Sequence, residues 1–116
     1  MVKARYVPDS GDLVWIDFDP QAGREQAGRR PALILTPAAY NEKAGLAVAC
    51  PVTNQVKGYP FEVLLPTGAT ISGAVLCDHL KSIDWHARRL ERAMRAPSPV
   101  MQQVRARIAA LLGLST

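Results

Sequence analysis

The chain has 116 residues, 48% of them hydrophobic, with a formal charge of +4. That length suits one domain, residues 1–116, with a sizeable core, and the composition argues against disorder. No apolar run approaches the ~20 residues of a membrane-spanning helix, and the N-terminus MVKARYVPDSGDL lacks a signal-type stretch, so a cytoplasmic protein is expected.

Gly11 to Phe18, GDLVWIDF, is the first predicted strand, with Leu13, Trp15 and Asp17 alternating against Val14, Ile16 and Phe18. Asp19 to Pro31, DPQAGREQAGRRP, carries two glycines, two prolines and no large apolar side chain. It is expected to be a loop, at a length where loops tend to be functional. Ala32 to Thr36 is the second strand, and Pro37 to Lys43 a short helical turn stopped by Gly45. Leu46 to Thr53, LAVACPVT, is the third strand, where Pro51 predicts an edge or a bulge. Phe61 to Leu65 and Gly73 to Asp78 are the fourth and fifth, with KGYP and PTGATISG as the turns before and between them. Ser82 to Asp84 reads as a tight turn, and Arg88 to Met94 as a basic strand. Ser98 is the expected N-cap of a terminal helix and Pro99 its first residue. Met101, Val104, Ile108 and Leu111 form its apolar stripe, and Gly113 stops it. Five to seven short strands followed by a helix predict a mainly β domain with a C-terminal α-helix, built as a small barrel or strongly curved antiparallel sheet.

Cys50 and Cys77 sit in apolar contexts without metal spacing and read as small buried side chains. Seven of the 14 basic residues but only two of the ten acidic ones fall within residues 81–107. Such a cluster suits a polyanion or an acidic partner; a solvated cationic face would explain it equally.

The chemistry-bearing residues crowd into GREQAGRRPALIL. Arg30 precedes Pro31 and a buried strand, so its backbone should be firmly held, and its guanidinium is a fork suited to phosphate or carboxylate. Glu25 lies on the Gly-flanked loop and could swing toward that fork. A surface ion pair worth about 0–1 kcal/mol would account for these charges as well. Thr53, Asn54 and Gln55 follow a core strand and either line a pocket floor or cap a turn. His79 and His86 belong to no triad or metal pattern. The sequence has no P-loop, no dinucleotide fingerprint, no serine-hydrolase elbow and no Asp/Glu/His cluster at metal spacing. Catalysis without metal or cofactor is therefore expected.

Four segments in order, RYVPDSGDLVWIDFDP, EQAGRRPALIL, VTNQVKGYPFEV and KSIDW, closely resemble the MazF/PemK family of toxin endoribonucleases. The resemblance covers residues 5–86 and is nearest the MazF branch. It implies an SH3-barrel-like, plasmid-toxin (CcdB/PemK-like) sheet working as a homodimer. It also implies metal-independent, sequence-specific cleavage of single-stranded RNA, chiefly mRNA, held off by an acidic MazE-like antitoxin. The family's catalytic arginine falls on Arg30, its catalytic threonine on Thr53 and its loop glutamate on Glu25. Arg29 stands where relatives often have another residue, frequently His. RNA supplies its own nucleophile, the 2′-hydroxyl beside the scissile phosphate, so no metal-activated water is required. On that chemistry Glu25 is the candidate base, Arg30 the transition-state cation and Thr53 the phosphate donor, and the products would be a 2′,3′-cyclic phosphate and a 5′-hydroxyl. Phe18, Asn54, Gln55, Lys57 and Tyr59 are candidates for reading bases, which proteins recognise by edge hydrogen bonds and stacking. Arg29, Arg88, Arg89 and Arg92 are candidates for holding the backbone. Close relatives often cut at motifs containing ACA. Two other readings fit the same fold: a gyrase-poisoning toxin acting by protein binding, and a non-catalytic RNA-binding barrel. The C-terminus LLGLST lacks the bulky end expected of the first.

Overall fold

In the computed structural model, residues 6–18 and 28–114 are described. The elements run β1 (Asp12–Phe18), β2 (Gly28–Ile34), α1 (Ala38–Ala44), β3 (Leu46–Thr53), β4 (Glu62–Leu64), β5 (Ala74–Leu76), a 3-10 turn (Cys77–His79), β6 (Lys81–Asp84), β7 (Glu91–Arg95) and α2 (Ser98–Leu112). The strands form one sheet in the order β4-β5-β3-β2-β1-β7, with β6 also pairing β3, and every pairing is antiparallel. The fold is mainly β with a C-terminal helix, as expected.

Alternation along the central strands sends side chains into two cores. Leu13, Leu33, Cys50 and Val52 join Val63, Val75, Val100 and Val104 on one face, under α2. Val14, Ile16, Phe18, Ala32, Ile34, Ala47 and Ala49 join Ile83 and Trp85 on the other. A sheet covered on both sides explains why β1 and β3 read as near-continuous apolar runs rather than as half-polar strands. Both cysteines are buried and free. Burial raises the Cys50 thiol pKa and pushes that of Cys77 up to about 11, so both stay protonated at neutral pH.

Several local expectations are corrected. Gly28 to Pro31 belong to β2, not to a loop: Asp17 pairs with Arg29 and Trp15 with Pro31, so the hairpin continues through polar residues. Pro51 lies on a central strand. β3 pairs with β6 up to Ala49 and with β5 from Val52, and Pro51 falls in the gap between them, where its missing N–H costs no ladder bond. Residues 82–84 are not a tight turn but part of β6, anchored by Ile83, which is 1% exposed; four residues are too few for alternation to be read. The strand expected at 88–94 is β7, Glu91–Arg95, and Arg88 and Arg89 sit in the turn before it.

Ser98 does not cap α2. Pro97 takes the N-cap position in extended backbone, and its carbonyl accepts from Val100 and Met101 N–H at 3.0 and 3.2 Å. Gly45 and Gly113 end their helices in the left-handed region, as expected of C-terminal glycines. Of the predicted stripe, Met101 and Val104 are buried and Ile108 half-buried, but Leu111 is exposed. Among the described residues, no helix is long and apolar enough to cross a membrane.

Candidate active site

The pairs Leu33↔Cys50 and Ala32↔Pro51 set the β2–β3 register. The ladder ends at Ala32↔Pro51, and Arg30 and Thr53 each lie two residues beyond that last pair. The strand order therefore puts the two predicted catalytic positions on adjacent strands, in the same part of the sheet. Arg30 is half-buried, and Thr53 is 9% exposed at the end of β3. The Thr53 hydroxyl accepts the Gln55 N–H at 3.1 Å, which holds the turn after β3. A hydroxyl so engaged keeps its own proton to donate. Glu25 lies outside the described residues.

A cavity of about 230 Å³ is lined by Arg29, Arg30, Asn54, Thr70 and Ser72 with apolar residues that include Trp15; Thr53 is not part of its lining. Thr70 and Ser72 were not singled out in the sequence. They lie in PTGATISG, which reads as turn chemistry, and only the closing of the β4–β5 connection over the end of β3 makes them site residues. Gly73 permits that closure. Its φ is +112°, and a Cβ there would stand 2.1 Å from the Thr53 carbonyl oxygen. Gly73→Ala is expected to force Thr53 and Asn54 aside and destabilise the fold by about 2–4 kcal/mol, combining overpacking with a disfavoured backbone. Urea unfolding would measure this; unchanged stability would mean the two strands do not approach so closely.

The predicted binding residues divide into three groups. Asn54, Gln55, Lys57 and Tyr59 are exposed on the connection after β3. There the Glu62 carboxylate accepts Lys57 and Gly58 N–H at 3.1 and 2.8 Å, and the Lys57 ammonium lies 5.9 Å from the Tyr59 ring centroid. Phe18 is a correction: it is 4% exposed and packed in the second core, with Lys81 Nζ 5.2 Å from its ring centroid. Its β1 position turns it toward Val14 and Ile16, so it offers no open stacking face.

Arg29, Arg88 and Arg89 converge on Asp17. Arg29 Nη1 and Arg89 Nε donate to its carboxylate at 3.0 and 2.8 Å, and Arg88 Nη1 donates to its backbone carbonyl at 3.0 Å. The Arg29 hydrogen bond, reinforced by the charge of Arg89, holds the Asp17 carboxyl below the usual carboxylate range. Arg92 and Arg95 instead pair with Asp12, buried at the start of β1, at 3.5 and 3.0 Å. His86 packs edge-on against Trp85, with ring centroids 3.8 Å apart, and His79 lies 3.9 Å from Asp78.

Residues 9–112 match the model of a family described as PemK-like, MazF-like toxin of type II toxin-antitoxin system. The chain is 48% identical over 110 residues to the endoribonuclease toxin MazF of Escherichia coli strain K12, covering 95% of this chain and 98% of that one. It superposes on crystal structures from Deinococcus radiodurans: on MazF with a TM-score of 0.90 at 57% identity (95% of this chain, 100% of that one), and on a MazE–MazF crystal structure with 0.88 at 58% (96% and 100%). A family match over residues 9–112, with 48% identity to a toxin covered over 98% of its length, leaves one assignment: the chain belongs to the MazF/PemK family of type II toxins.

Proposed function

We propose that this toxin is a metal-independent, sequence-specific endoribonuclease that cuts single-stranded mRNA and so halts translation in the cytoplasm. One observation carries the reading: two adjacent arginines, Arg29 and Arg30, line a single cavity with Asn54, Thr70 and Ser72, in a chain 48% identical to a protein named as an endoribonuclease. That name also favours cutting RNA over binding gyrase.

The chemistry is transesterification. Glu25 takes the proton from the 2′-hydroxyl. O2′ attacks the adjacent phosphorus, the P–O5′ bond breaks, and the chain ends are a 2′,3′-cyclic phosphate and a 5′-hydroxyl. Arg30 neutralises charge on the phosphorane-like transition state and supplies a proton to the leaving O5′; its fork geometry suits two phosphate oxygens. Thr53 donates to a non-bridging oxygen. Asn54, Gln55, Lys57 and Tyr59 meet the bases beside the cut, in a recognition sequence expected to contain ACA.

The toxin works as a homodimer and is restrained by an acidic MazE-like antitoxin that competes with RNA for the cationic surface. Leu64 of β4 and Leu111, Leu112 and Leu114 at the end of the chain's α2 region are exposed, and α2 packs against β4; apolar side chains left in water are compatible with pairing of copies. A MazE–MazF crystal structure from Deinococcus radiodurans at 58% identity supports the antitoxin.

Incubation with a long mixed RNA in EDTA, followed by mapping of 5′ ends, tests the reading. Discrete cuts with 5′-hydroxyl ends in single-stranded regions are expected. An intact RNA, or cuts only when a divalent metal is restored, would refute it.

A further inference from the structure

Asp17 stands one residue from the end of β1, a strand flanked by β2 and β7. All three strands are tied together at this residue. Its Oδ1 accepts from Arg29 of β2 at 3.0 Å and its Oδ2 from Arg89 of the turn before β7 at 2.8 Å. Its N–H donates to the Arg88 carbonyl at 3.0 Å. Arg29 reaches on to the Arg89 carbonyl at 3.0 Å and to Glu91 of β7 at 3.3 Å. Arg89 has a φ of +49°, unlike any other non-glycine among the described residues, in a region that L residues seldom occupy. Both its carbonyl and its guanidinium are held by this network, which accounts for a strained turn being kept.

Two consequences follow for the site. Arg29 is the chain neighbour of Arg30 and stands opposite Asp17 in the β1–β2 register. Fixing Arg29 therefore fixes the peptide from which the Arg30 side chain projects. Second, Arg29 and Arg89 are cations already matched to a carboxylate, so their pull on an RNA backbone is muted. We propose that Asp17 is a positioning residue: its carboxylate holds Arg30 in register for chemistry and masks two cations that would otherwise grip RNA phosphates indiscriminately. This inference rests on the RNA-cleaving reading above.

The two roles act in opposite directions, which a merely structural residue would not do. Asp17→Asn keeps the size of the side chain but takes the carboxylate from Arg89 and leaves Arg29 with Glu91 as its remaining acidic partner. Single-turnover cleavage at saturating protein is expected to slow about 10- to 100-fold, the scale of a small misplacement of a reacting group. Binding to the same RNA carrying a 2′-deoxy sugar at the mapped cut site, measured by fluorescence anisotropy, is expected to tighten. Its salt dependence should steepen by about 0.7 in log–log slope for each phosphate newly contacted on a single strand. Arg89→Ala removes one tie without freeing a cation, so it should slow cleavage without tightening binding; it also serves if Asp17→Asn fails to fold.

Wild-type cleavage rates in both variants, or an Asp17→Asn protein that binds no more tightly with an unchanged slope, would overturn the proposal. If the wild-type protein itself leaves RNA intact, the functional reading fails, and the binding slope alone still decides whether Asp17 masks the two arginines.

Discussion

Arg30→Ala is expected to slow single-turnover RNA cleavage about 10²- to 10³-fold, the usual loss when one preorganised donor to a developing oxyanion is removed, or about 3–4 kcal/mol of barrier. The expectation follows from where negative charge appears. Attack of O2′ on phosphorus concentrates charge on the equatorial oxygens, and the reaction gains only from groups already aimed there. Arg30 is half-buried at the start of a strand whose following residues, Ala32 to Ile34, are fully buried. Its backbone is therefore fixed, and little reorganisation is needed at the moment of reaction. The loss should appear in the rate at saturating protein more than in the affinity for RNA, since several other cations attract the backbone. Arg30→Lys sharpens the test. It keeps the charge but replaces a planar fork by a point charge, so it should recover only part of the rate. An alanine variant that cuts as fast as wild type would remove the guanidinium from the transition state.

Which features were legible in the sequence depends on the range of the interactions that made them. β1, β3, α1 and the body of α2 are set by local periodicity and by Gly45 and Gly113, and these were readable. Arg30 and Thr53 were readable as candidates, but that their strands are neighbours is a property of the sheet order. Arg29 looked like a free phosphate ligand. Its partners Asp17 and Glu91 lie 12 and 62 residues away, and nothing local marks a commitment across three strands. Asp17 itself showed only as one position in the alternation of β1. Phe18 looked like a base-stacking ring at the mouth of a loop until the second core claimed it. Thr70 and Ser72 depended on a close approach that Gly73 permits and that no spacing rule announces.

The largest expected effect lies on the substrate. A single 2′-deoxy sugar placed 5′ to the scissile phosphate should suppress cleavage at that site by more than about 10³-fold, over 4 kcal/mol of barrier, because the nucleophile is gone. The same change one nucleotide to either side should alter the rate little. Binding should survive at every position, since phosphate contacts carry most of the affinity for nucleic acids. This pattern separates two mechanisms that share the same protein groups. If an activated water were the nucleophile, the 2′-hydroxyl would be a spectator, the deoxy substrate would be cut, and the product would carry a terminal phosphate in place of the cyclic one. With the internal nucleophile, the protein supplies a base, a cation and a hydroxyl donor around one phosphate. Arg30 and Thr53 lie on the adjacent strands β2 and β3, so one phosphate held at that part of the sheet could meet both. Cleavage of the deoxy-substituted site at an ordinary rate would dismiss the internal nucleophile while leaving Arg30 free to serve the other reaction.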